Sequence, residues 1–84
     1  MNDKNLSYRA AEVYRTIIAY IESHGYPPTQ SEISELCFYS TYITYSAIIE
    51  LEKKKLITKK YRKPRTIKVT GYEFVEVESK WSLV

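Results

Sequence analysis

The chain has 84 residues, with 13 Lys and Arg against 10 Asp and Glu, and a formal net charge of +3. This length allows one domain with a modest core. Cys37 is the only cysteine, so an internal disulfide is excluded. No apolar run approaches the roughly 20 residues that span a membrane, and the N-terminus lacks the apolar core of a signal peptide. We therefore expect a cytoplasmic protein.

The chain has few side chains that could bind a metal ion or act in catalysis. The single histidine, His24, stands alone beside a predicted helix end, and the His, Cys and carboxylate residues show no metal-ligand spacing. With only Gly25 and Gly71, the chain has no glycine-rich phosphate loop. We expect no metal, no cofactor and no catalytic residues, so the sequence does not predict an enzyme.

The first predicted element is an amphipathic helix from Ser7 to about His24. Its apolar stripe follows helical spacing, and Ser7 suits the N-cap position. Gly25 suits the left-handed residue that ends a helix, and the following Pro27-Pro28 pair cannot continue it. The stripe that should face the core consists of Ala10, Val13, Ile17 and Ile21.

Two shorter helices follow. Thr29 and Glu32 have the spacing of a capping box, which predicts a helix from Thr29 to about Cys37. Ile33 and Leu36 should face inward, and Cys37 is a further candidate for that face. A third helix should begin near Ser40 or Thr41 and continue to about Lys54. Its apolar spacing comes from Ile48 and Leu51, with Thr44 and Ala47 beside them.

The hydrophobic period then changes to that of a β-strand. Leu56–Lys60 and Thr66–Thr70 read as two strands joined by a turn at 61–65, in which Pro64 is the breaker. From Lys53 to Thr70 the chain has nine Lys or Arg and no Asp or Glu, whereas the rest has four Lys or Arg and all ten acids. Such a concentrated positive segment is typical of polyanion binding. A solvated basic surface is the alternative.

This order of elements predicts an α+β fold. Three helices and then a β-hairpin, with the last two helices closely joined, form the plan of a winged helix-turn-helix. In that plan the third helix enters the DNA major groove and the hairpin, or wing, contacts the phosphate backbone. We expect this domain to occupy residues 1–70. Residues 71–84 should form a tail with a short extra strand or a dimerisation segment.

The chain also resembles the N-terminal DNA-binding domain of the LexA repressor family over roughly Leu6 to Val69. Three stretches carry the resemblance: EVYRTIIAYIESHGYPPT (Glu12–Thr29), the pair Glu32-Ile33, and LEKKKLI (Leu51–Ile57). The resemblance implies a sequence-specific transcription regulator, usually dimeric, and here most simply a repressor of bacterial, phage or plasmid origin.

The chain departs from the family pattern in two ways. The stretch ISELCFYS is one residue shorter than usual, and either Cys37 or Phe38 stands where the family has glycine. The family also has a C-terminal self-cleaving protease domain. This sequence has no room for that domain and no Ala-Gly dipeptide, so regulation by self-cleavage is not expected.

Alignment backwards from LEKKKLI gives the positions that the resemblance assigns to base contacts. Arg, Lys, Asn and Gln, the usual base-contacting residues, are missing between Ser40 and Glu52. Tyrosine hydroxyls and rings would contact base edges and thymine methyls, with help from DNA shape. Alternatively, Tyr39, Tyr42 and Tyr45 form a packing stripe or a protein-contact face. The base-contact candidates are Ser40, Tyr42, Ile43, Tyr45 and Ser46.

Cations of the wing and of the third helix's end are the candidates for phosphate or minor-groove contacts. Gln30 joins them because the start of a helix favours anions. The full set is Gln30, Thr41, Lys53, Lys54, Lys59, Lys60, Arg62, Lys63 and Arg65.

The expected partner is therefore double-stranded DNA that carries a palindromic operator, so the protein should be associated with the nucleoid. No membrane partner is expected. A homodimer is expected because one winged helix contacts only a half-site. The apolar tail, Tyr72–Val84, is the candidate dimer contact. The alternative is a winged-helix module that binds a protein partner through its Tyr-rich helix and does not bind DNA.

Overall fold

The computed structural model describes residues 6–71, which form three helices and one two-stranded antiparallel sheet. Helix α1 covers Tyr8–His24, α2 covers Gln30–Cys37 and α3 covers Thr41–Lys53, followed by β1 at Ile57–Thr58 and β2 at Lys68–Val69. No helix in this part of the chain is long and apolar enough to cross a membrane. The predicted strand-like tail lies outside the described residues.

The predicted helix starts are confirmed by their caps. The Ser7 side chain accepts a hydrogen bond from the Ala10 N–H at 3.1 Å, and Ser40 does the same for Ile43 at 3.1 Å. At the start of α2 the capping box is complete, because Thr29 Oγ1 accepts from the Glu32 N–H and Glu32 accepts from the Thr29 N–H. Each cap satisfies N–H groups that the first turn of a helix leaves without partners.

The core lies where the three helices meet the base of the hairpin. The α1 stripe is buried as predicted except for Ile21, which is partly buried. Helix α3 buries one face against α1 and α2 and leaves the opposite face exposed. The buried face comprises Thr44, Ala47, Ile48 and Leu51, all at most 3% exposed. The hydroxyl of Thr44 accepts from Ser34 Oγ at 2.9 Å, so this buried polar group is satisfied.

The prediction that Leu36 faces the core is wrong. Leu36 is 54% exposed, whereas Ile33 is fully buried. Helix α2 has only eight residues and contacts the core with the Ile33 side. Cys37, one residue on, is half-buried with its Sγ 3.3 Å from Thr16 Oγ1. Leu36 is turned away from the core into a surface groove beside Ala19.

The hairpin confirms two antiparallel strands, but the paired part is shorter than predicted. Ile57 pairs with Val69 and Thr58 with Lys68, and the apolar member of each strand is buried. At the open end, the Thr70 N–H still donates to the Leu56 carbonyl at 2.9 Å, whereas towards the turn a side chain replaces the backbone pairing. Thr66 Oγ1 accepts from the Lys60 N–H at 3.0 Å and lies within hydrogen-bond distance of the carbonyls of Lys60 and Lys63. The architecture is a winged helix-turn-helix.

The turn between α2 and α3 has an unusual residue at its left-handed position. Phe38 adopts φ 60° and ψ 39°, so Phe38, not Cys37, occupies the place where the resembling family has glycine. The Phe38 N–H donates to Glu35 and the Tyr39 N–H to Ser34, as in a Schellman motif. The Phe38 side chain is 93% exposed. Its ring therefore makes little packing contribution that would offset the strained backbone.

Phe38→Gly should stabilise the domain. A left-handed conformation costs a non-glycine residue about 1–2 kcal/mol, and glycine's extra freedom in the unfolded chain cancels part of that gain, so we expect a net increase of about 0.5–1 kcal/mol. Urea denaturation followed by circular dichroism measures it. Phe38→Ala is the matched control, since it removes the same exposed ring but keeps the strain. Equal stabilisation by both variants would contradict the explanation.

Candidate nucleic-acid interface

The exposed face of α3 carries aromatic rings and hydroxyl groups. Tyr42 is 75% exposed and Tyr45 is 45% exposed, and Ser46, which follows Tyr45, is also exposed. Ile43 is half-buried, and Ser40 is exposed but already accepts a hydrogen bond as the N-cap. The structure thus brings the five predicted base-contact residues to the first half of one helix. Thr41 is exposed in the same turn, whereas Thr44 is buried.

A groove beside this face is formed with the start of α1. Tyr42 and Ser46 line it together with Arg9, which is exposed. The Glu50 carboxylate fixes the two helices here, because it accepts from the Ser7 N–H and from the Ser7 hydroxyl, both at 2.8 Å. Sequence reasoning missed Arg9. Its position near α3 follows only from the packing of α1, and no local sequence signal indicates it.

The wing presents cations in a short loop. Lys60, Arg62 and Lys63 are exposed, whereas Lys59 is half-buried with its Nζ 4.9 Å from the centre of the Tyr61 ring. Arg62 has a left-handed backbone, with φ 69°. Thr66 holds the loop closed through the hydrogen bonds described above. The wing is thus a compact cationic projection.

The beginning of the wing is attached to α3. The Tyr61 hydroxyl donates to Glu52 Oε1 at 2.6 Å, and this hydrogen bond raises the pKa of Tyr61 to about 12. Tyr61 therefore keeps its proton at neutral pH and remains a donor. Glu52 follows Tyr45 by seven residues, which is two turns on the same side of α3, so the wing is attached to the helix face that carries Tyr45.

The other side of the wing faces the start of α2. A surface groove there is lined by Gln30 and by the wing cations Lys59, Arg62 and Lys63. The structure thus brings together predicted phosphate-contact residues that are about 30 positions apart in the sequence. Lys53 and Lys54 are not part of this group. They lie at the far end of α3, about 18 Å along the axis from Thr41.

Arg65 differs from the other wing cations because its guanidinium already has protein partners. Its Nη2 lies 2.8 Å from Glu32 Oε2 and its Nη1 lies 3.0 Å from Glu32 Oε1. Nη1 is also 3.0 Å from the Pro27 carbonyl, and the guanidinium carbon lies 4.9 Å from the centre of the Tyr26 ring. The hydrogen bonds from Arg65 and from the Thr29 N–H lower the pKa of Glu32 to about 2.

Metal-ligating side chains do not cluster in the described part of the chain. Among residues 6–71 no group of three or more His, Cys, Asp or Glu side chains could hold a metal ion. Three of the carboxylates nearest the cationic face, Glu32, Glu50 and Glu52, are instead hydrogen-bonded within the protein. The arrangement can present hydroxyls, aromatic rings and cations to a polyanion.

Glu32→Gln should lower stability at neutral pH by an amount that shrinks in acid. The folded-state pKa of about 2 lies below the ordinary value of 4.5, so the ionised carboxylate contributes fully above pH 4.5. That contribution falls as the pH decreases from 4.5 towards 2. Urea denaturation of the original protein and of the variant across this pH range measures the difference between their free energies of unfolding. Arg65→Gln should show the same narrowing, because it removes the other partner. A difference in free energy of unfolding that stays constant down to pH 2 would contradict the stabilising role of the ionised Glu32 carboxylate.

Comparison with known proteins identifies the family. The model of the LexA DNA-binding domain matches residues 3–66. The LexA repressor of Lactiplantibacillus plantarum is 43% identical over 70 residues, which are 80% of this chain and 33% of that protein. The LexA repressor of Lacticaseibacillus casei is 40% identical over 73 residues, covering 83% and 35%. That of Enterococcus faecalis is 38% identical over 78 residues, covering 89% and 37%. The chain spans about a third of the length of these relatives. On both sequence and fold, the chain belongs to the LexA DNA-binding domain family.

Proposed function

We propose that this domain is a sequence-specific binder of double-stranded DNA that regulates transcription as a repressor. The observation that carries the proposal is the placement of the exposed face of α3 directly beside a cationic wing. The family supports it, since relatives that share 38–43% identity with the chain are repressors. The protein would act in the cytoplasm, at the nucleoid.

In the proposed complex, α3 lies in the major groove and the wing lies along the backbone. Tyr42 and Tyr45 would contact base edges through their hydroxyls and thymine methyls through their rings. Ser46, Ser40 and Ile43 would complete this surface. The face lacks the usual arginine or amide contacts to guanine and adenine, so we expect a T-rich site whose shape contributes to recognition.

Phosphate contacts would come from the surfaces on either side of α3. Arg62 and Lys63 at the wing tip are exposed and lie opposite Gln30 at the start of α2. Thr41 lies at the start of α3. These groups would position the protein on the duplex without specifying its sequence. The remaining cations proposed for this role are Lys53, Lys54, Lys59 and Lys60.

A homodimer would place two such domains on one operator. One domain contacts a half-site, and two-fold dimers gain affinity by binding two half-sites about one helical turn, or a multiple of it, apart. The apolar tail, Tyr72–Val84, is the proposed dimer contact. It lies outside the described residues, so this proposal depends on its sequence composition and on the geometry of paired half-sites.

Selection from a pool of random duplex DNA tests the function. We expect an enriched T-rich palindrome whose half-sites are separated by about 10 base pairs or a multiple of that spacing. Enrichment of a single unrepeated half-site would support DNA binding but contradict the dimer. Absence of any enriched sequence, at a salt concentration where the protein binds random duplex, would contradict sequence-specific recognition.

Tyr42→Ala and Tyr45→Ala should each reduce discrimination between the selected site and random DNA by roughly 1–3 kcal/mol. Non-specific affinity should change little, because the wing cations remain. Fluorescence anisotropy at one fixed salt concentration measures both affinities. Tyr42→Phe and Tyr45→Phe separate the hydroxyl from the ring. Tyr8→Ala is the control, since Tyr8 is 76% exposed but lies on α1. If both alanine variants still discriminated fully between the selected site and random DNA, these tyrosines would not be base contacts.

A further inference from the structure

The wing is attached to the body of the domain through Arg65. Its two terminal nitrogens bind the two oxygens of Glu32 in a side-by-side arrangement. The same guanidinium donates to the Pro27 carbonyl and lies over the Tyr26 ring, and Nη1 is 3.4 Å from the Tyr20 hydroxyl. A single wing side chain therefore contacts α1, the loop after it and α2.

This arrangement is more than an ordinary surface ion pair. Exposed ion pairs contribute little on their own, and the exceptions are bidentate arginine–carboxylate pairs or charges that belong to a network. Here the geometry is bidentate, and the side chains of Arg65 and Glu32 are only 39% and 32% exposed. Glu32 is itself held by the Thr29 N–H of the capping box, at 2.9 Å. The carboxylate is thus fixed in place before Arg65 binds it.

The backbone of the wing also requires such an attachment. Arg62 and Arg65 both have left-handed backbones, with φ of 69° and 58°, although neither is glycine. These conformations persist only where surrounding interactions impose them. Thr66 closes the loop internally, and Arg65 is the side chain that joins it to α2. Loss of the Arg65 contacts should therefore loosen the wing, although Tyr61 still attaches its beginning to α3.

We propose that Arg65 is a positioning residue, which binds Glu32 to hold the wing in place so that Arg62 and Lys63 meet DNA phosphates, and that Arg65 does not contact DNA itself. The DNA part of this statement rests on the function proposed above. A phosphate that took the same bidentate position would have to displace the Glu32 carboxylate, which binds both terminal nitrogens. Arg62 and Lys63, in contrast, are exposed at the tip of the loop.

Three variants test the attachment. Each changes only one side chain of the Arg65–Glu32 pair and introduces neither glycine nor proline. Arg65→Lys keeps the charge but loses the planar bidentate geometry, and Arg65→Gln loses both. Glu32→Gln loses the charge but keeps an acceptor for the capping box, which tolerates Gln at this position. Lys63→Gln is the control, because it removes a wing cation at a residue whose side chain has no part in this network.

The first measurement uses the free full chain. Heteronuclear NOE values for backbone amides of residues 60–66 report the order of the wing. We expect these values to fall in Arg65→Lys, Arg65→Gln and Glu32→Gln, while those of α1 and α3 stay unchanged. Lys63→Gln should retain the values of the original protein. An equally ordered wing in all three attachment variants would overturn the proposal, whatever the protein does with DNA.

The second measurement is affinity for a duplex carrying the selected site. Arg65→Lys and Glu32→Gln should each weaken binding by about tenfold or more, which corresponds to the loss of one charge-assisted hydrogen bond. The variant that carries both changes should bind DNA about as tightly as the single variant with the lower affinity, because both changes break the same contact. Lys63→Gln should reduce the slope of log K against log salt by about 0.9, the contribution of one phosphate contact.

The two possible roles of Arg65 predict opposite results for these variants. If Arg65 contacted a phosphate, Arg65→Lys would keep most of the affinity. Glu32→Gln would then tighten binding, because it removes a negative charge that competes with DNA. Either result would overturn the positioning role. If the original protein showed no affinity for the selected site or for a random duplex, the proposed function would fail, and the NOE measurement would still decide whether Arg65 orders the wing.

Discussion

The burial of one face of α3 is the constraint on which the rest of the structure depends. Thr44, Ala47, Ile48 and Leu51 pack against α1 and α2, and their burial fixes the rotation of the helix about its axis. Residues on the opposite side must then face solvent, since a helix places positions three and four apart on one face. The exposed set that includes Tyr42 and Tyr45 is thus a direct consequence of core packing.

Acidic residues near the cationic surface serve as internal attachments. Glu50 joins α3 to the start of α1 through Ser7, and Glu52 joins α3 to the beginning of the wing through Tyr61. Glu32 joins α2 to the end of the wing through Arg65. Carboxylates that would repel a polyanion are in this way turned towards protein donors. The outward charge of this surface is then dominated by Lys and Arg.

Several turns of the domain have a residue other than glycine at a left-handed position. Phe38, Lys55, Arg62 and Arg65 all have positive φ, whereas the two glycines occupy positions 25 and 71. A left-handed backbone is unfavourable for each of these four side chains. Helix C-terminal hydrogen bonds support Phe38 and Lys55, and the Thr66 and Arg65 contacts support the wing. Local strain thus lies in three connections, namely the turn between α2 and α3, the turn between α3 and β1, and the wing.

The elements that depend on interactions between near neighbours could be predicted from the sequence. Helix caps, the Gly25 terminus, the capping box and the core stripe of α1 all involve residues within three or four positions of each other, so their patterns are visible in the chain. The dense positive charge between Lys53 and Thr70 is likewise a property of one continuous segment. The family followed from the same local motifs.

The long-range partners of these elements could not be predicted from the sequence, because they depend on tertiary packing. The sequence left Cys37 and Phe38 as alternatives for the left-handed turn position, and it wrongly placed Leu36 in the core. It also placed Arg65 among the candidate phosphate or minor-groove contacts and did not indicate its partner Glu32, which lies 33 positions away. Such pairings depend on how whole helices pack, and no spacing within the chain encodes that geometry.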